Sequence, residues 1–588
     1  MSVQAITPRL SGVCPTATIQ SHRRPVKTNL LALLLLPIAL IAFEPLIANK
    51  DAAAKDYFVA NAKAIPKIAK RLKPGDNVVL NNGTWTDVQI DFAAKGSKEK
   101  PITLRSQTPG LVVFNGNSKL KISGDWLVVD GLRFEGGALK KGSVVEFTGS
   151  LGAATNSRFI NSSIVSYNPK EIKTRYFWVV LHGQHNSVEN NYFENQNHSG
   201  VTIVIRRDSP EPNYHTISGN HFTDRPLGDG NGYETIRVGT SHECESDSFS
   251  VIENNLFERI DGELEIISNK SGKNVFRNNT FFKSNGTLTL RHGHGNLVQG
   301  NFFLGHGKPG AGGLRIIGRD QTVVNNYFSG LDGWADGAIA ITAGQPNSKN
   351  NGYPQVKNTV IAHNTIVDVK GAAIAFSQSF GTRDRTLLAE DVTIANNVFF
   401  SKQDPLFEGD QSSSWKWEGN VAFGQSLGSV DNNPGIKVAD PKLKSDEGAI
   451  MRPQEKSPLI DGAAGDYSKI VKVDMDGQER TGKFDIGADE AVADKIPRGP
   501  LTGVNVGPAL AISISKEAAT ATVARNKNSS KALTVTVNSS NDSKEKTVTI
   551  PAGKNSVDFD IAAGGSKEVT ITATADGHPA GTATWSAP

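Results

Sequence analysis

Two glutamates that are two residues apart, Glu263 and Glu265, alternate with the apolar residues Leu264 and Ile266. Successive side chains of a β-strand point to opposite faces, so a strand that buries Leu264 and Ile266 would project both carboxylates from its outer face. The same alternation with apolar neighbours predicts that three basic side chains also point outward: Arg237, Arg291 and Arg315. Such a grouping of charges suits chemistry on an anion or a metal ion.

These five side chains are predicted to lie on neighbouring strands, because the intervals between them are similar. The intervals are 26 residues from Arg237 to Glu263, 26 from Glu265 to Arg291 and 24 from Arg291 to Arg315. Strands of one sheet lie about 4.8 Å apart, so stacked coils would hold all five within a strip of about 15 Å. One interpretation of such a strip is a solvated ladder of salt bridges, which stabilises a protein little.

Two further residues favour a functional site over a ladder of salt bridges. Lys270 follows the glutamate pair in Ser268-Asn269-Lys270-Ser271-Gly272, and His292 lies beside Arg291. Carboxylates surrounded by cations indicate a metal ion together with an anionic substrate.

The glutamate pair predicts calcium as that metal. Two carboxylates that point the same way are hard oxygen ligands, which calcium prefers. Asn231 or Glu234, from the preceding loop, would complete the ligand set. Zinc is disfavoured, since His292 and His294 have no convincing third partner.

A short repeat predicts the fold that positions these residues. Its unit is a strand, an asparagine and then an aromatic or branched residue, as in Asn190-Asn191-Tyr192-Phe193, Asn254-Asn255-Leu256-Phe257 and Asn325-Asn326-Tyr327-Phe328. The unit recurs at intervals from 22 residues (Asn279 to Asn301) to 38 (Asn326 to Asn364), as expected for solenoid coils with and without loops. Asparagine tolerates a left-handed bend and can stack as a hydrogen-bonded ladder. We predict an all-β protein built on a right-handed parallel β-helix.

Both ends of the solenoid carry extra elements. The apolar spacing from Asp56 to Leu72 predicts an N-terminal capping helix that stops at Pro74. The repeat fades after about residue 400, and strong alternation beyond Pro500 predicts a C-terminal antiparallel β-sandwich module. We place the β-helix at residues 55–495 and the sandwich, as an accessory domain, at 501–588.

The N-terminus has the order of a secretory signal. Arg23, Arg24 and Lys27 precede an apolar run from Leu30 to Phe43, and small residues follow at 52–54. We therefore assign residues 1–54 to a signal peptide region and expect a secreted or periplasmic protein. The apolar run is shorter than the roughly 20 residues of a spanning helix, so no permanent membrane anchor is expected.

The overall charge argues against one class of partner. The formal net charge is only +4, and no run of Lys and Arg is interleaved with aromatic residues. Both features disfavour a nucleic-acid-binding protein.

Several segments in the correct order resemble polysaccharide lyase family 6, which contains alginate lyases and chondroitinase B. They are Asn231-Gly232-Tyr233-Glu234-Thr235-Ile236-Arg237, Glu263-Leu264-Glu265-Ile266-Ile267-Ser268-Asn269-Lys270-Ser271 and Leu290-Arg291-His292-Gly293. The resemblance extends from about Lys55 to Glu490 and leaves the sandwich outside it.

The resemblance implies cleavage of an acidic polysaccharide, alginate, by β-elimination. It implies Lys270 as the base and Arg291 as the acid that assists O4, although a guanidinium is a poor proton donor. A calcium ion held by Asn231, Glu234, Glu263 and Glu265 would act as a Lewis acid. Three residues would contact the substrate: Arg237, His292 and Arg315.

Three other functions remain open at this stage. A chondroitin or dermatan sulfate lyase would use the same site on a different polymer. A mannuronan epimerase would abstract the same proton and return it without cleavage. A non-catalytic β-helix binding protein would explain the repeat but leave the Glu263, Glu265 and Lys270 grouping to chance. The sequence does not indicate mannuronate or guluronate preference, internal or terminal cleavage, or oligomeric state.

Overall fold

The structure is a computed structural model that describes residues 54–333, 337–402, 405–491, 496–515, 519–561 and 568–586. The predicted signal region lies outside these ranges except for its last residue. No helix within the described ranges is long and apolar enough to cross a membrane.

Three long parallel sheets form the main body, and the chain contributes one strand to each sheet in turn as it coils. Within the described ranges, the first sheet contains Asp56–Val59, Asn77–Leu80, Ile102–Ser106, Leu127–Asp130, Arg158–Ile160, Ser187–Glu189, Thr216–Ser218, Val251–Glu253, Val275–Arg277, Leu297–Gln299, Thr322–Val324, Lys357–Ala362, Glu390–Ala395 and Lys416–Glu418. The second contains Gly83–Thr86, Val112–Gly116, Arg133–Gly137, Ser163–Val165, Tyr192–Glu194, His221–Arg225, Leu256–Ile260, Thr280–Phe282, Phe302–Leu304, Tyr327–Ser329, Thr365–Val367, Val398–Ser401, Asn420–Gly424 and Ile436–Val438.

The third sheet carries the candidate site on its outer face and is called the cleft sheet below. Its strands are Gln89–Lys95, Lys119–Asp125, Ser143–Glu146, Phe177–Leu181, Ile203–Ile205, Ile236–Val238, Glu265–Lys270, Gly286–His292, Ala311–Ile316, Gly337–Thr342, Ala372–Gln378 and Phe407–Glu408. The prediction of a right-handed parallel β-helix is confirmed.

A ladder of buried asparagines joins successive coils, as the repeat predicted. The side-chain oxygen of each member accepts the backbone N–H of the member one coil before it, at 2.9–3.0 Å. The ladder consists of Asn191, Asn220, Asn255, Asn279, Asn301, Asn326, Asn364, Asn397 and Asn420, all with at most 1% exposure. These bonds satisfy the backbone at a bend where no strand partner is available.

The residue before each ladder asparagine makes the bend itself. It has a positive φ in every coil of the ladder that the sequence repeat identified, for example 54° at Asn190 and 58° at Asn278, and it is glycine at 219 and 300. The fourth residue of the unit packs inside, where Phe193, Phe222, Phe257, Phe281, Phe303 and Phe328 stack with ring centroids 4.7–5.1 Å apart. Each position of the repeat therefore has its own structural role.

The N-terminal cap is shorter than predicted. Asp56–Val59 is a strand that pairs in parallel with Asn77–Leu80, and helical structure is confined to Ala62–Ala64 and Ile65–Ala69. The prediction of one helix from Asp56 was wrong because Phe58, counted as part of its apolar face, is 60% exposed. Ile65 is fully buried and closes the apolar end of the solenoid.

The C-terminal residues form two antiparallel sheets, as predicted for a sandwich. One contains Ala511–Ile514, Thr520–Ala524 and Ser556–Asp560, and the other contains Leu533–Ser539, Asp542–Ile550, Glu568–Ala575 and His578–Ser586. The sandwich packs on the second sheet of the β-helix through a buried loop. Asn526 donates to the carbonyl oxygens of Leu132 and Asn161, and Arg133 donates to that of Lys527.

Candidate active site

A cleft of about 560 Å³ opens on the outer face of the cleft sheet. It contains six of the site residues predicted from the sequence, together with neighbouring residues. Its walls are Leu227, Gly228, Gly230, Asn231, Gly262, Glu263, Leu264, Glu265, Lys270, Arg291, Arg315 and Tyr353.

The two glutamates line the cleft, but they do not lie on one regular strand as predicted. Glu263 lies in the bend before the strand, which begins at Glu265. A register shift between Glu265 and Ile267 buries both Ile266 and Ile267, while Leu264 turns outward into the cleft wall. The predicted inward position of Leu264 was therefore wrong, because a β-bulge interrupts the alternation.

Backbone amides hold the Glu263 carboxylate. Its Oε2 accepts the N–H groups of Gly232 at 2.6 Å and of Tyr233 at 2.9 Å. Gly232 has a φ of +105°, a conformation that other residues rarely adopt, and this turn directs its amide to the carboxylate. Burial and the nearby carboxylates of Glu234 and Glu265 nevertheless raise the pKa of Glu263 to about 7.

Glu265 and Glu234 each face an arginine at a long distance. An Oε1 to Nη1 distance of 3.8 Å separates Glu265 from Arg315, and one of 3.7 Å separates Glu234 from Arg237. The Glu234 side chain is only 2% exposed, and its Oε2 has no hydrogen-bond partner among the described residues. At these distances both ion pairs are close to the outer limit for a salt bridge.

Lys270 is the last residue of the Glu265–Lys270 strand. In the next strand the register shifts from Asn269 opposite Leu290 to Lys270 opposite His292. Arg291 occupies this second bulge, so Lys270 and Arg291 lie on adjacent strands at the same level. The prediction that Arg291 aligns with Glu265 was wrong, because Glu265 pairs with Thr287, which precedes Arg291 by four residues, so this coil is shorter than the 26-residue interval.

Arg291 is held by a loop from a distant part of the chain. Its guanidinium donates to the carbonyl oxygens of Gly352 at 2.7 Å and Asn351 at 3.1 Å, and it lies 4.1 Å from the ring centroid of Tyr353. Burial lowers the pKa of Arg291, and the charge of Arg315 adds to this effect. These contacts fix a cation beside Lys270.

The outward alternation of Arg237 and Arg315 is confirmed. The two residues lie in one row across the cleft sheet, with Ser268 and Thr289 between them. The 26-residue interval had predicted that Arg237 aligns with Glu263. In the structure Arg237 pairs with Ser268 instead. Loops lengthen the coil by a variable amount, so an interval alone does not establish register.

Asn231 and His292 differ from the other predicted site residues in their exposure to solvent. Asn231 is exposed at the cleft wall. His292 is 1% exposed and lies behind Arg291, with its Nε2 3.3 Å from the hydroxyl of Ser241. Burial and the charges of Arg291 and Lys270 lower the pKa of His292 to about 3, so the imidazole is neutral.

Tyr353 is a cleft residue that the sequence analysis missed. Three guanidinium groups surround its ring, with centroid distances of 4.1 Å for Arg291, 5.7 Å for Arg315 and 3.7 Å for Arg385. Burial opposes ionisation of the phenol, but these three charges outweigh it and lower the pKa of Tyr353. Tyr353 and Arg385 lie in loops without a periodic pattern, so no sequence signal connected them with the cleft.

The acidic side chains of the cleft fit a hard divalent cation. The nearby carboxylates of Glu234 and Glu265 contribute to the raised pKa of Glu263, and the Oε2 of buried Glu234 has no hydrogen-bond partner among the described residues. By contrast, among the described residues, the carboxylates of Asp474, Asp476 and Asp489 lie within 4.8 Å of one another, and Arg452 already pairs with Asp476 and Asp489. The cleft carboxylates therefore fit the predicted metal ion better than this group of aspartates does.

Comparison with known proteins extends these observations. The model of the chondroitinase B family matches residues 59–464. Two structures of the family 6 alginate lyase AlyGC, one of them a mutant, are 38% and 36% identical, cover 68% and 76% of this chain and have TM-scores of 0.65 and 0.66. The matches cover only 55% and 60% of AlyGC, so this chain corresponds to little more than half of that protein. No curated protein matches the chain.

Two other solved structures cover more of their own length. A mannuronic acid specific family 6 lyase from human gut microbiota is 29% identical over 66% of this chain and 91% of its own, with a TM-score of 0.60. A family 6 alginate lyase in complex with a trisaccharide is 25% identical over 69% of this chain and 92% of its own, with a TM-score of 0.55. The extent of the family match and the identity to AlyGC show that the chain belongs to polysaccharide lyase family 6.

Proposed function

We propose that this protein is a calcium-assisted lyase that cleaves alginate by β-elimination in the cleft. The observation that carries the proposal is the pair formed by Lys270 and Arg291, which lie on adjacent strands beside three acidic side chains. Cations and carboxylates in one groove suit a substrate whose own carboxylates must be bound and neutralised.

The similar structures support alginate as the polymer. AlyGC is described as an alginate lyase, the gut enzyme as mannuronic acid specific, and the trisaccharide complex as an alginate lyase. The chondroitinase B family model leaves a sulfated uronate polymer as the alternative substrate.

Lys270 is proposed as the base that removes the proton on C5. Its ammonium group has no hydrogen bond or ion pair with any described residue, so the side chain is available to the substrate. The neutral amine would accept the C5 proton, and the electrons of that bond would form the C4–C5 double bond as O4 departs.

Arg291 and Arg315 are proposed to stabilise charge on the substrate. Arg291 is fixed by two carbonyl oxygens and the Tyr353 ring, so it would need little rearrangement as negative charge develops on O4. Because a guanidinium holds its proton tightly, water is the more suitable proton donor, oriented by Arg291. Arg237 would brace Glu234, and buried His292 would support Arg291 from behind.

Glu263, Glu265 and Glu234 are proposed to hold calcium with Asn231. The ion, when bound, would neutralise the C6 carboxylate and make the C5 proton more acidic. The backbone amides of Gly232 and Tyr233 would keep Glu263 oriented, and the hydroxyl of Ser268 donates to Glu265.

We also propose that the protein is exported to the periplasm or the medium. The proposal rests on the N-terminal sequence, in which charged residues are followed by an apolar run and then by small residues.

A panel of polymers tests this proposal. The purified protein would be given polymannuronate, polyguluronate and dermatan sulfate with calcium, and again with excess chelator. We expect an unsaturated uronate product from an alginate polymer, with activity lost in chelator and restored by added calcium. Cleavage of dermatan sulfate alone would contradict alginate as the substrate, and full activity in chelator would contradict the role of calcium.

A further inference from the structure

We propose that a second group of arginines, on the side of the cleft toward the N-terminus, binds the carboxylate of a sugar residue remote from the scissile bond. The group consists of Arg175, Arg206 and Arg237 around the ring of Phe177 and is called the Phe177 cluster below. The inference rests on the proposed action on an acidic polysaccharide and extends its binding site beyond the cleft.

Three guanidinium groups approach one phenyl ring. The distances from the guanidinium carbon to the Phe177 ring centroid are 5.9 Å for Arg175, 5.5 Å for Arg206 and 5.9 Å for Arg237. The ring packs on an outer-face patch formed by Val180, Val201 and Val204. This packing gives the three cations a fixed platform on the cleft sheet.

The positive charge of the Phe177 cluster is not balanced by nearby acids. Neither Arg175 nor Arg206 forms a side-chain hydrogen bond or salt bridge with any described residue. Arg237 has only Glu234 at 3.7 Å, and its buried Nε has no partner in the described part of the chain.

By contrast, two arginines on another sheet of the coil, Arg158 and Arg277, each have an acidic partner. Arg158 meets Glu189 at 2.7 Å, and Arg277 meets Glu253 at 2.6 Å. A cluster of like charges costs stability, so its presence on the sheet that contains the cleft calls for a functional explanation. An anionic ligand that accepts hydrogen bonds from two or more guanidinium groups supplies that explanation.

The Phe177 cluster is continuous with the cleft. Val180, Val204, Arg237, Ser268, Thr289 and Arg315 follow one another in a single row across adjacent strands. Three strand spacings of about 4.8 Å separate Arg237 from Arg315, which is about 14 Å. A polysaccharide lying along the helix axis would therefore contact the Phe177 cluster, the glutamates with Lys270, and the Tyr353 loop in that order.

Carboxylate is the ligand group that this chemistry favours. Guanidinium presents a planar fork that matches a carboxylate with two parallel hydrogen bonds. A sulfate ester could occupy the same fork, so unsulfated and sulfated oligosaccharides must be compared. The cluster lies outside the cleft, and only oligosaccharides long enough to extend beyond the scissile bond would reach it.

Binding of oligouronates to full-length variants tests the inference. Dissociation constants for di-, tri-, tetra- and hexasaccharides of alginate, and for dermatan sulfate oligosaccharides, would be measured by calorimetry in a Lys270→Ala background that prevents turnover. We expect Arg206→Ala to weaken hexasaccharide binding about 5-fold to 10-fold, or about 1–1.4 kcal/mol, with little effect on the disaccharide. Arg175→Ala should act in the same direction, and both should reduce the salt dependence of binding.

Arg277→Ala is the matched control, because it removes an arginine that is paired on a different sheet. Its hexasaccharide affinity should equal that of the parent. Hexasaccharide binding by Arg206→Ala and Arg175→Ala that equals the control would overturn the inference, as would weaker binding of the sulfated series alone. If the wild-type protein cleaves no polymer but the two variants still lose oligouronate affinity, the lyase proposal fails and the binding site stands.

Discussion

The interior of the β-helix is regular from coil to coil, whereas the outer face of its cleft sheet is not. Inside, one asparagine and one aromatic ring per coil repeat the same contacts from Asn191 to Asn420 and from Phe193 to Phe328. On the outer face, two register shifts interrupt the strands that carry Glu265, Lys270 and Arg291. Regularity stabilises the coil, and its interruption turns functional side chains toward the cleft.

Charge shows the same contrast. The ladder asparagines have their side-chain oxygens and amides hydrogen-bonded, whereas Glu234 and Arg237 in the cleft region each have an unpartnered buried atom. Unsatisfied groups are costly in an interior and are tolerated where a ligand completes them. The comparison predicts that changes in the interior affect stability, while changes on the outer face affect turnover.

The largest expected effect is that of Lys270→Ala. Loss of the base should reduce turnover by at least about 10³-fold, within the range for general base catalysis, and leave the thermal unfolding midpoint unchanged. Lys273→Ala removes an exposed lysine three residues away and should retain activity. Equal activity of the two variants would assign the base elsewhere.

Arg291→Lys should have the next largest effect. Lysine keeps the charge but cannot hold the carbonyl oxygens of both Gly352 and Asn351, so turnover should fall by about 10²-fold. Arg319→Lys, at an exposed ion pair with Glu245, serves as the control in the same steady-state assay. Unchanged turnover in Arg291→Lys would show that charge alone suffices at this position.

Asn279→Ala should affect the interior only. The change leaves the buried backbone N–H of Asn255 and the carbonyl oxygen of Ile252 without their side-chain partner, at a cost of about 2–4 kcal/mol in the free energy of unfolding. We expect a lower unfolding midpoint and unchanged turnover of the folded protein. Asn61→Ala, at an exposed residue without a side-chain capping bond, should leave both unchanged. A loss of turnover without a loss of stability would contradict the division between interior and outer face.

The smallest expected effect concerns pH and the acidic residues around Arg452. Burial, opposed by Arg452 but reinforced by Asp476 and Asp474, raises the pKa of Asp489 from 3.8 to about 7. Between about pH 4 and pH 7 the folded protein therefore holds a proton that the unfolded chain releases, so this group's contribution to stability declines as pH rises through that window. Asp489→Asn should make the unfolding midpoint fall less with pH than in the wild type. If the unfolding midpoints of the two proteins change with pH in the same way, titration of Asp489 does not contribute to stability in this range.

The sequence predicted the parts of the fold that depend on repetition. The repeat unit identified the coils, because a bend residue with positive φ and a ladder asparagine recur in each of them. The capping helix was predicted too long because Phe58 fits a helical spacing but lies on an exposed strand.

The candidate site was predicted in composition but not in register. Alternation correctly placed Arg237 and Arg315 outward, since their strands are regular. It also placed Arg291 outward, between buried Leu290 and the cleft. Alternation failed at Leu264, because a bulge adds one residue without a local signal that alternation can detect. Tyr353 and the unpaired arginines around Phe177 could not be foreseen, as they come together only through tertiary contacts.

The structure of the product tests the central claim most directly. Polymannuronate and polyguluronate would be incubated with the purified protein and calcium, and the products examined by proton NMR. The account predicts shortened chains that carry a C4–C5 double bond, formed by the wild type and absent with Lys270→Ala. Chains of unchanged length with inverted configuration at C5 would identify an epimerase instead, and polymers that remain unchanged would contradict catalysis in this cleft.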